Sequence, residues 1–573
     1  MGASLNPHSF FLYGEKRNMP NLFQRRMPSI MQHSFSTVPQ ARIPRSQFKR
    51  NFEKKTTFNA DYLIPFYWDE VYPGDTANMR FSAIIRMFPL ANPFMDNLYA
   101  DFFFFFCPTR LIQTNWPKLM GERDNPADSI DFATPKVTIP AGGFVPPANW
   151  SAPTTAELAS ALYDYLEYPI KVQPLTADMP HNYLARMYNL QWNQHFRDQN
   201  LQNSVTVDKG DGPDTYTNYV LLKRGKRRDY FTSCLPFLQL GAAQSLPLGT
   251  SAPVMGLAVN TSATTAVSGA TYINSGAGTG PAGTNSQSAA GVMYAASKSA
   301  AATAAATAFN STNTNVFVDL TAATAATIGS LYQSFAIQDL LQSDIRGGTR
   351  YIELINSHFG VTSPDFRLQR VEYLGGASVP IIVSPIAQTS QTGITALGSL
   401  AAQAAASVNG VGFMKSFVEH GWLMGLVCIR ADLTYQKGLH RSLSRSTRYD
   451  FYFPALANLA EQPVYNKEIY LQGTSADAQV FGYQERWSEL RYGRSSLTGL
   501  MRANATGTLQ VWHLSEEFTS LPVLNSTFIQ QNTPVSRVLS VTTQNHFFAD
   551  FFGQGTWVRP MPTYSVPGLM NRF

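Results

Sequence analysis

The chain has 573 residues, of which 44% are hydrophobic and 13% aromatic, so it can bury a large core and is neither a disordered nor a fibrous polymer. Charged residues make up only 14%, compared with roughly 25% in an ordinary soluble protein. This low fraction indicates that much of the polar surface consists of Ser, Thr, Asn and Gln, or that partners cover it. The formal net charge is +6. No apolar run approaches the roughly 18 residues of a spanning helix, and the first residues do not resemble a secretory leader. We therefore expect no membrane insertion.

Cysteine usage excludes two further classes of protein. The three cysteines are Cys107, Cys234 and Cys428, each more than a hundred residues from the next. This number and spacing provide neither a disulfide framework nor a zinc knuckle, and they suit a reducing compartment.

The excess positive charge is concentrated at the N-terminus. Residues 1–57 carry ten basic and two acidic side chains, a net of +8, whereas the other 516 residues carry 34 basic and 36 acidic ones, a net of −2. The ten basic residues are Lys16, Arg17, Arg25, Arg26, Arg42, Arg45, Lys49, Arg50, Lys54 and Lys55. Prolines and aromatic residues lie between them without a sustained helical or strand period, so we predict an extended arm over residues 1–57.

Two interpretations of this arm stay open. Basic side chains neutralise phosphates and aromatic rings stack on unpaired bases, a combination that suits single strands without sequence preference. The alternative is a solubilising or frayed terminus. We expect that residues 1–57 can be removed without unfolding the rest.

From Phe58 onward, short β-rich stretches alternate with turn residues, the pattern of an antiparallel sandwich or barrel. Residues 79–87 alternate apolar and polar side chains, which predicts a strand with one buried face. Residues 98–107 are apolar on both faces, as in a strand covered on both sides. Further strands are predicted at 413–430, 508–514 and 537–543. Because the β elements run the length of the chain, residues 58–573 are predicted as a single β-domain with long insertions.

Helices are predicted inside these insertions. Thr154 and Glu157 form a capping-box pair at the start of the first. A third helix ends at Gly347-Gly348, and a fourth covers residues 349–359. The apolar stripes of the second and third helices consist of Leu184, Tyr188, Trp192 and Phe196, and of Leu331, Phe335 and Ile345. We interpret these stripes as core packing rather than ligand contacts.

Residues 241–330 differ in kind from the rest. They contain only two charged side chains, Lys298 and Asp319, and long runs of Ala, Thr, Ser and Gly. Such a composition cannot supply a large core, which predicts an exposed insertion. It is either a flexible loop or a projection in which several subunits meet around a symmetry axis. Residues 386–411 are predicted as a smaller Ala-rich insertion.

The sequence contains no catalytic or cofactor motif in the structural context that such a motif requires. Residues 278–283 match the dinucleotide fingerprint in letters, but no strong strand precedes them and Pro281 lies inside the turn. Asp208, Asp211 and Asp214 lack EF-hand spacing, and we interpret them as a solvated turn. We predict no catalytic residue, no cofactor and no metal site.

Two further groups of charges need an interpretation. Lys223, Arg224, Lys226, Arg227 and Arg228 place five basic residues within six positions, and a polyanion or an acidic neighbour is the usual partner of such density. Nucleic-acid contact and a salt-bridge patch between subunits are equally compatible with them. Four glutamates could serve acid–base chemistry, but nothing in their spacing pairs them, and we interpret them as structural salt-bridge partners. They are Glu485, Glu489, Glu516 and Glu517.

Several long and distinctive sequence blocks occur along the chain, among them DYLIPFYWDEVYPGDT from Asp61 and FVEHGWLMGLVCIRADLTYQKGL from Phe417. The blocks cover residues 61–123, 223–236, 347–376, 417–439, 481–493, 511–518 and 559–568. They closely resemble the major capsid protein of gokushoviruses, small single-stranded DNA phages of the Microviridae. The first dozen residues and the Ala/Thr-rich insertion lie outside the resemblance.

The resemblance implies an eight-stranded antiparallel jelly roll with long loop insertions that contain helices. It implies an icosahedral T=1 shell, with one copy per asymmetric unit, around a circular single-stranded DNA genome. It also implies that the largest insertion is a threefold protrusion that meets a host cell-surface receptor. Other virion partners would be a DNA-pilot protein and a small basic DNA-binding protein. The expected location is the virion, after assembly in the host bacterial cytoplasm.

We therefore expect a non-enzymatic capsid subunit that contacts DNA through the fifteen basic residues of the arm and of the 223–228 cluster. One alternative is an extracellular β-rich adhesin or phage fibre that binds glycans. Another is a glycoside hydrolase, which needs two carboxylates roughly 5 to 10 Å apart in a cleft.

Overall fold

The computed structural model describes residues 44–239, 241, 254–255, 317–318, 328–348, 350–361, 369–390, 397–457, 459 and 461–564. Its strands are β1 (Ser46–Phe58), β2 (Ile64–Val71), β3 (Thr76–Met87), β4 (Leu98–Pro108), β5 (Val137–Thr138), β6 (Asp214–Thr215), β7 (Val254–Met255), β8 (Phe317–Val318), β9 (Glu372–Ala387), β10 (Leu400–Ser416), β11 (Gly421–Ala431), β12 (Gln462–Tyr465), β13 (Val480–Gln484) and β14 (Phe547–Arg559). Its α-helices are α1 (Trp116–Leu119), α2 (Thr155–Tyr165), α3 (Tyr183–Gln191), α4 (Ile328–Gly347), α5 (Tyr351–Phe359), α6 (Asn466–Ile469) and α7 (Ser526–Ile529).

Eight of these strands form one antiparallel sheet in the order β1-β14-β3-β10-β9-β4-β11-β2. Strand β9 joins its two halves, because residues 372–381 pair with β4 and residues 382–387 pair with β10. Counted along the chain, one half holds the first, eighth, third and sixth strands of this sheet, and the other holds the fifth, fourth, seventh and second. This is the connectivity of a jelly roll, and the predicted fold class is confirmed.

Aromatic rings fill the space between the two halves. The Phe66 ring stacks on Phe551, with centroids 4.8 Å apart, and the Phe81 ring stacks on Phe104 at the same separation. All four side chains are buried. Because they come from β2, β14, β3 and β4, one aromatic cluster connects both halves of the sheet.

Strand β4 is covered on both faces, as its continuous apolar sequence predicts. Phe102 and Phe104 lie in the aromatic cluster, and their rings contact Phe66. Phe103 and Phe105 face the other way, and both contact Phe196. A strand buried on both faces reads as a run of apolar residues rather than as an alternation.

Three sequence predictions about the β elements are wrong. Residues 400–411, assigned to an Ala-rich insertion, belong to β10, which lies between β3 and β9 in the sheet. Ala402, Ala404 and Ala406 face the interior and are buried, so tertiary pairing overrides the low β-propensity of alanine. Residues 508–514 and 537–543 form no strand; single 3₁₀ turns occur at Gln510–Trp512 and Val535–Arg537.

The four predicted helices are present. Thr154 caps α2, with its Oγ1 accepting from the Glu157 amide at 3.3 Å while the Glu157 carboxylate accepts from the Thr154 amide at 2.8 Å. The second helix is α3, continued by a π-helical turn at Trp192–Phe196. The third and fourth are α4 and α5. The packing interpretation is wrong for Phe335 on α4, because this ring is exposed, whereas Ile345 is buried.

The N-terminal arm is shorter than predicted. Strand β1 begins at Ser46, is paired with β14 over its whole length, and ends in the buried Phe58. Deleting residues 1–57 would take out an edge strand of the sheet, so residues 46–57 belong to the β-domain and not to the arm. Phe48, Phe52 and Phe58 lie on one face of β1 and alternate with polar residues. Because many of the residues between them are basic, this alternation does not resemble an ordinary half-buried strand in the sequence.

The three cysteines are buried free thiols. Among the described residues, no helix is both long enough and apolar enough to cross a bilayer. Most of the 241–330 insertion lies outside the described residues; within it, Val254–Met255 pairs with Phe317–Val318.

Candidate nucleic-acid interface

The alternation along β1 divides its basic residues between two faces of the sheet. Lys49 and Lys55 point away from the core and are exposed. Arg50 instead donates from Nη1 to Asp69 Oδ2 at 2.6 Å and lies over the Trp557 ring. The predicted residues Lys16, Arg17, Arg25, Arg26 and Arg42 lie outside the described residues.

Lys54 also belongs to the interior side of β1. Its Nζ donates to the Tyr165 carbonyl at 2.6 Å and to Glu167 Oε1 at 3.0 Å. Burial lowers the pKa of this ammonium, and the Glu167 carboxylate opposes that shift. At the start of the described chain, Arg45 donates to Thr76 Oγ1 at 3.0 Å. Lys54 and Arg50 thus pair with carboxylates of the same subunit, which leaves Lys49 and Lys55 as the basic residues on the outward face of β1.

The register of β1, β14 and β3 builds a basic face around these two lysines. Arg86 lies opposite Phe548 in β14, and Arg80 lies opposite Gln554. Phe552 is two residues before Gln554 in β14 and therefore lies on the same face. Both arginines are exposed, and both phenylalanine rings are 39% exposed. We call this surface the basic sheet face, defined by Lys49, Lys55, Arg80, Arg86, Phe548 and Phe552.

Two carboxylates moderate the charge of this face. Glu53 forms an ion pair with Lys55, and Asp550 lies opposite Lys55 in the register. Four cations against two carboxylates leave the face positive. Arg80 and Arg86 were missed as site residues, although their alternation with buried apolar residues in β3 was the signal that places them outward.

The structure divides the 223–228 cluster. Arg224 forms an ion pair with Asp101 and lies over the Phe103 ring. Although burial opposes ionisation of Asp101, the Ser378 hydroxyl and the Arg224 guanidinium hold the pKa of its carboxyl below the usual range. Both predicted alternatives placed the partners of this cluster outside the subunit, whereas the partner of Arg224 lies inside it.

The same holds for Lys226. Its side chain is buried, donates to Glu516 Oε2 at 2.5 Å, and lies 4.4 Å from the Phe528 ring centroid. Lys223 donates to Asn532 Oδ1 at 3.3 Å. Within the cluster, only Arg227 and Arg228 are exposed. The accessible charge of 223–228 is therefore smaller than its sequence indicates.

The carboxylates considered for catalysis are engaged in ion pairs. Glu489 accepts from Arg445 at 3.1 Å, and Glu517 lies 3.8 Å from the Lys437 ammonium. Glu485 forms an ion pair with Arg491, and Glu516 pairs with Lys226. Their interpretation as structural salt-bridge partners is confirmed.

The three aspartates near residue 211 are less solvated than predicted. Asp214 is almost fully buried and forms an ion pair with the buried Arg186, so the solvated-turn interpretation is wrong for it. Asp211 accepts from Gln113 at 2.7 Å and from Asn115 at 2.8 Å. Within the described ranges, no group of three or more His, Cys, Asp or Glu side chains could hold a metal ion.

A jelly roll is shared by viral capsid, lectin and cupin domains, and comparison with known proteins identifies this chain with the first of these. The profile of the family described as "Capsid protein (F protein)" matches residues 36–569. The chain belongs to this family of capsid proteins. Its role is therefore structural rather than enzymatic, and its location is the virion.

Individual relatives narrow the identification to gokushoviruses. Capsid protein VP1 of Bdellovibrio phage phiMH2K is 44% identical, over 95% of this chain and 98% of the relative. Capsid protein VP1 of Chlamydia phage 1 is 40% identical, over 95% and 99%. Capsid protein VP1 of Spiroplasma virus 4 is 33% identical, over 94% and 97%. The resemblance found in the sequence is confirmed, and neither the adhesin nor the glycoside hydrolase is supported.

Proposed function

We propose that copies of this chain assemble into a closed icosahedral shell around single-stranded DNA, and that the N-terminal segment and the basic sheet face contact that DNA inside the shell. One observation carries the proposal. Strand β1 continues directly from the basic segment 1–45 and presents Lys49 and Lys55 on the same surface as Arg80 and Arg86. Along the chain, the basic segment is thus followed directly by a positive face with exposed phenylalanine rings, a combination that suits unpaired bases and phosphates.

Salt dependence tests the DNA contact. If about six cations reach phosphates, a slope near −0.7 per contact predicts that affinity for a fluorescein-labelled oligothymidylate falls roughly 300-fold between 50 and 200 mM salt. Fluorescence anisotropy of the full-length protein measures this directly. An affinity independent of salt would refute the proposal.

A deletion locates the contact. Removing residues 1–45 leaves β1 in place, so the sheet is expected to stay folded while packaged DNA decreases. Replacing the stretch of residues 256–316 with a short Gly-Ser linker is the control, because it removes a larger segment without basic residues other than Lys298. Full packaging by the 1–45 deletion would assign the segment a structural role only.

The Ala/Thr-rich insertion is proposed as a surface protrusion that contacts the host. Pairing of β7 with β8 supports this, because the 61 residues between Met255 and Phe317 must leave and return at one place. Shells with the linker in place of residues 256–316 are expected to form but to adsorb poorly to host cells. Normal adsorption would rule out this role. A DNA-pilot protein, a small basic DNA-binding protein and a host receptor remain the predicted partners.

A further inference from the structure

The loop between β11 and β12 combines arginines with exposed aromatic rings, and no predicted site includes it. Arg445 lies over the Phe451 ring at 5.5 Å, and Arg448 lies over the Phe453 ring at 5.4 Å. Beside them, Tyr449 is 70% exposed. Arginine and aromatic side chains placed side by side are the residue types that bind unpaired nucleotides.

A cavity of about 230 Å³ opens next to this loop. Four of its lining residues are cations, contributed by the loop, by α6 and by the residues after β13: Arg441, Arg445, Lys467 and Arg486. Tyr449, Tyr465 and Trp487 supply rings to the same wall. The cavity has the volume of about eight water molecules, which admits a phosphate group. We call it the arginine pocket.

Among the described residues, two guanidinium donors of this pocket find no acceptor. Arg445 donates from Nη2 to Glu489 at 3.1 Å, and Arg486 lies over the Trp487 ring at 5.1 Å. The Nε of each arginine is nevertheless buried without a hydrogen-bond partner within the described part of the chain. A buried donor left unsatisfied costs free energy, and an acceptor oxygen beside these arginines would offset that cost.

The carboxylates around the pocket do not fill the acceptor position beside these two guanidinium donors. Glu468 and Glu489 accept from Arg441 and Arg445 and so hold them in place. Asp450 lines the pocket, but its Oδ2 already accepts from the Ser446 and Thr447 amides and from Thr447 Oγ1. These backbone hydrogen bonds lower the pKa of Asp450 to about 2. Four cations against three carboxylates leave the site positive.

We propose that the arginine pocket binds a phosphate of single-stranded nucleic acid and that the adjoining base stacks on Tyr449. The proposal rests on the proposed DNA packaging. A second protein could offer a carboxylate to Arg445 and Arg486. The exposed ring beside the anion site favours a nucleotide, because a nucleotide brings an anion and a flat aromatic group together.

Binding of fluorescein-labelled oligothymidylate to the full-length protein tests this proposal. Tyr449→Ser removes an exposed ring and is expected to weaken binding roughly five- to 150-fold. Arg486→Gln is expected to reduce the steepness of the salt dependence by about 0.7. The matched controls are Tyr351→Ser, which removes another exposed ring, and Arg491→Gln, which removes an exposed charge. Both controls are expected to stay within twofold of the natural chain.

A second measurement does not depend on affinity. Ultraviolet irradiation with an oligonucleotide that contains 5-bromodeoxyuridine is expected to cross-link the peptide that includes Tyr449. Unchanged affinity in both Tyr449→Ser and Arg486→Gln, together with no such cross-link, would overturn the proposal. It would equally be overturned if these variants blocked shell assembly while binding the oligonucleotide normally, since the pocket would then be a contact between subunits.

The deletion of residues 1–45 separates this proposal from the broader one. If the deletion weakens oligonucleotide binding while Tyr449→Ser and Arg486→Gln do not, the N-terminal contact stands and the pocket fails. If only the two pocket variants weaken binding, the pocket stands and the N-terminal contact fails.

Discussion

Arg186 on α3 and Asp214 in β6 form a two-point ion pair in the interior of the chain. Arg186 Nε donates to Oδ2 at 2.7 Å and Nη2 to Oδ1 at 2.5 Å, and both side chains are buried. The remaining donor, Nη1, reaches the carbonyls of Ile112 and Gly210 at 2.8 and 2.7 Å. The pair thus connects α3 with two loops of the insertion between β4 and β9.

Breaking this pair is predicted to destabilise the subunit strongly. Arg186→Met leaves the Asp214 carboxylate buried without its cation, which costs about 3–5 kcal/mol of unfolding free energy. Arg491→Met is the control, because its ion pair with Glu485 is exposed and is expected to contribute less than about 1 kcal/mol. Urea unfolding of the unassembled subunit measures both. Equal losses in the two variants would show that burial does not govern the contribution of the pair.

The aromatic cluster between the two halves of the sheet predicts a contrast along β14. Phe551→Ala removes a buried ring that stacks on Phe66 and is expected to cost about 3–5 kcal/mol. Phe548→Ala removes the same ring three positions earlier, on the half-exposed face, and is expected to cost about 1 kcal/mol or less. Urea midpoints of the two variants make the comparison. A larger loss for Phe548→Ala would contradict the assignment of the two faces.

The pH dependence of stability is predicted from His546. Burial lowers its pKa to about 4, and the nearby Lys223 charge acts in the same direction. Its Nδ1 accepts from the Ala60 amide at 3.3 Å, which requires the unprotonated nitrogen. Below the ordinary pKa of about 6.5, the unfolded chain binds a proton that the folded chain does not. Stability is therefore lost as pH falls from about 6.5 to 4, by up to about 3 kcal/mol.

The comparison with His546→Gln isolates this contribution. Asp61 has the opposite sign, because burial raises its pKa to about 6 and stability is lost as its carboxyl ionises between about pH 4 and 6. The difference in unfolding free energy between the natural chain and His546→Gln removes this background. That difference is expected to change between pH 4 and 6.5 and to level off outside this range. A difference independent of pH would contradict the prediction.

The basic sheet face is predicted to contribute to the salt dependence of DNA binding. Changing both Arg80 and Arg86 to Gln is expected to reduce the steepness by about 1.4, two contacts at 0.7 each. Changing the half-buried Lys118 and the exposed Arg123 to Gln removes the same charge elsewhere on the chain and is expected to leave the slope unchanged. Anisotropy titrations with oligothymidylate measure both slopes. An equal reduction in both pairs would attribute the effect to net charge alone.

The sequence predicted those elements whose pattern is local. Strand β3 follows from the alternation of residues 79–87, and α2 follows from the Thr154 capping box. Strand β10 was missed because its buried face consists of alanines, whose position in the sheet depends on pairing with β3 and β9. The partners in β3 are more than three hundred residues away, and local composition does not encode such pairing.

The candidate site also has a part that local sequence predicts and a part that depends on distant contacts. A count of charges found the basic clusters, but it could not tell Lys49, which points outward, from Lys54, whose ammonium reaches Glu167. Nor could it show that Arg224 and Lys226 meet Asp101 and Glu516, since those carboxylates are far away in the sequence. The alternation of β3 already turns Arg80 and Arg86 outward, but their position on the same face as Phe548 and Phe552 follows only from the register of β3 with β14.

The most direct test of the account is a cryo-electron microscopy reconstruction of particles from infected cells. The account predicts closed icosahedral shells in which Lys49, Arg80 and Arg86 of the basic sheet face point toward density for packaged DNA, and in which the chain before Ser46 runs along the inner surface. A shell with this face and segment on its outside, or a chain that remains a monomer throughout infection, would contradict it.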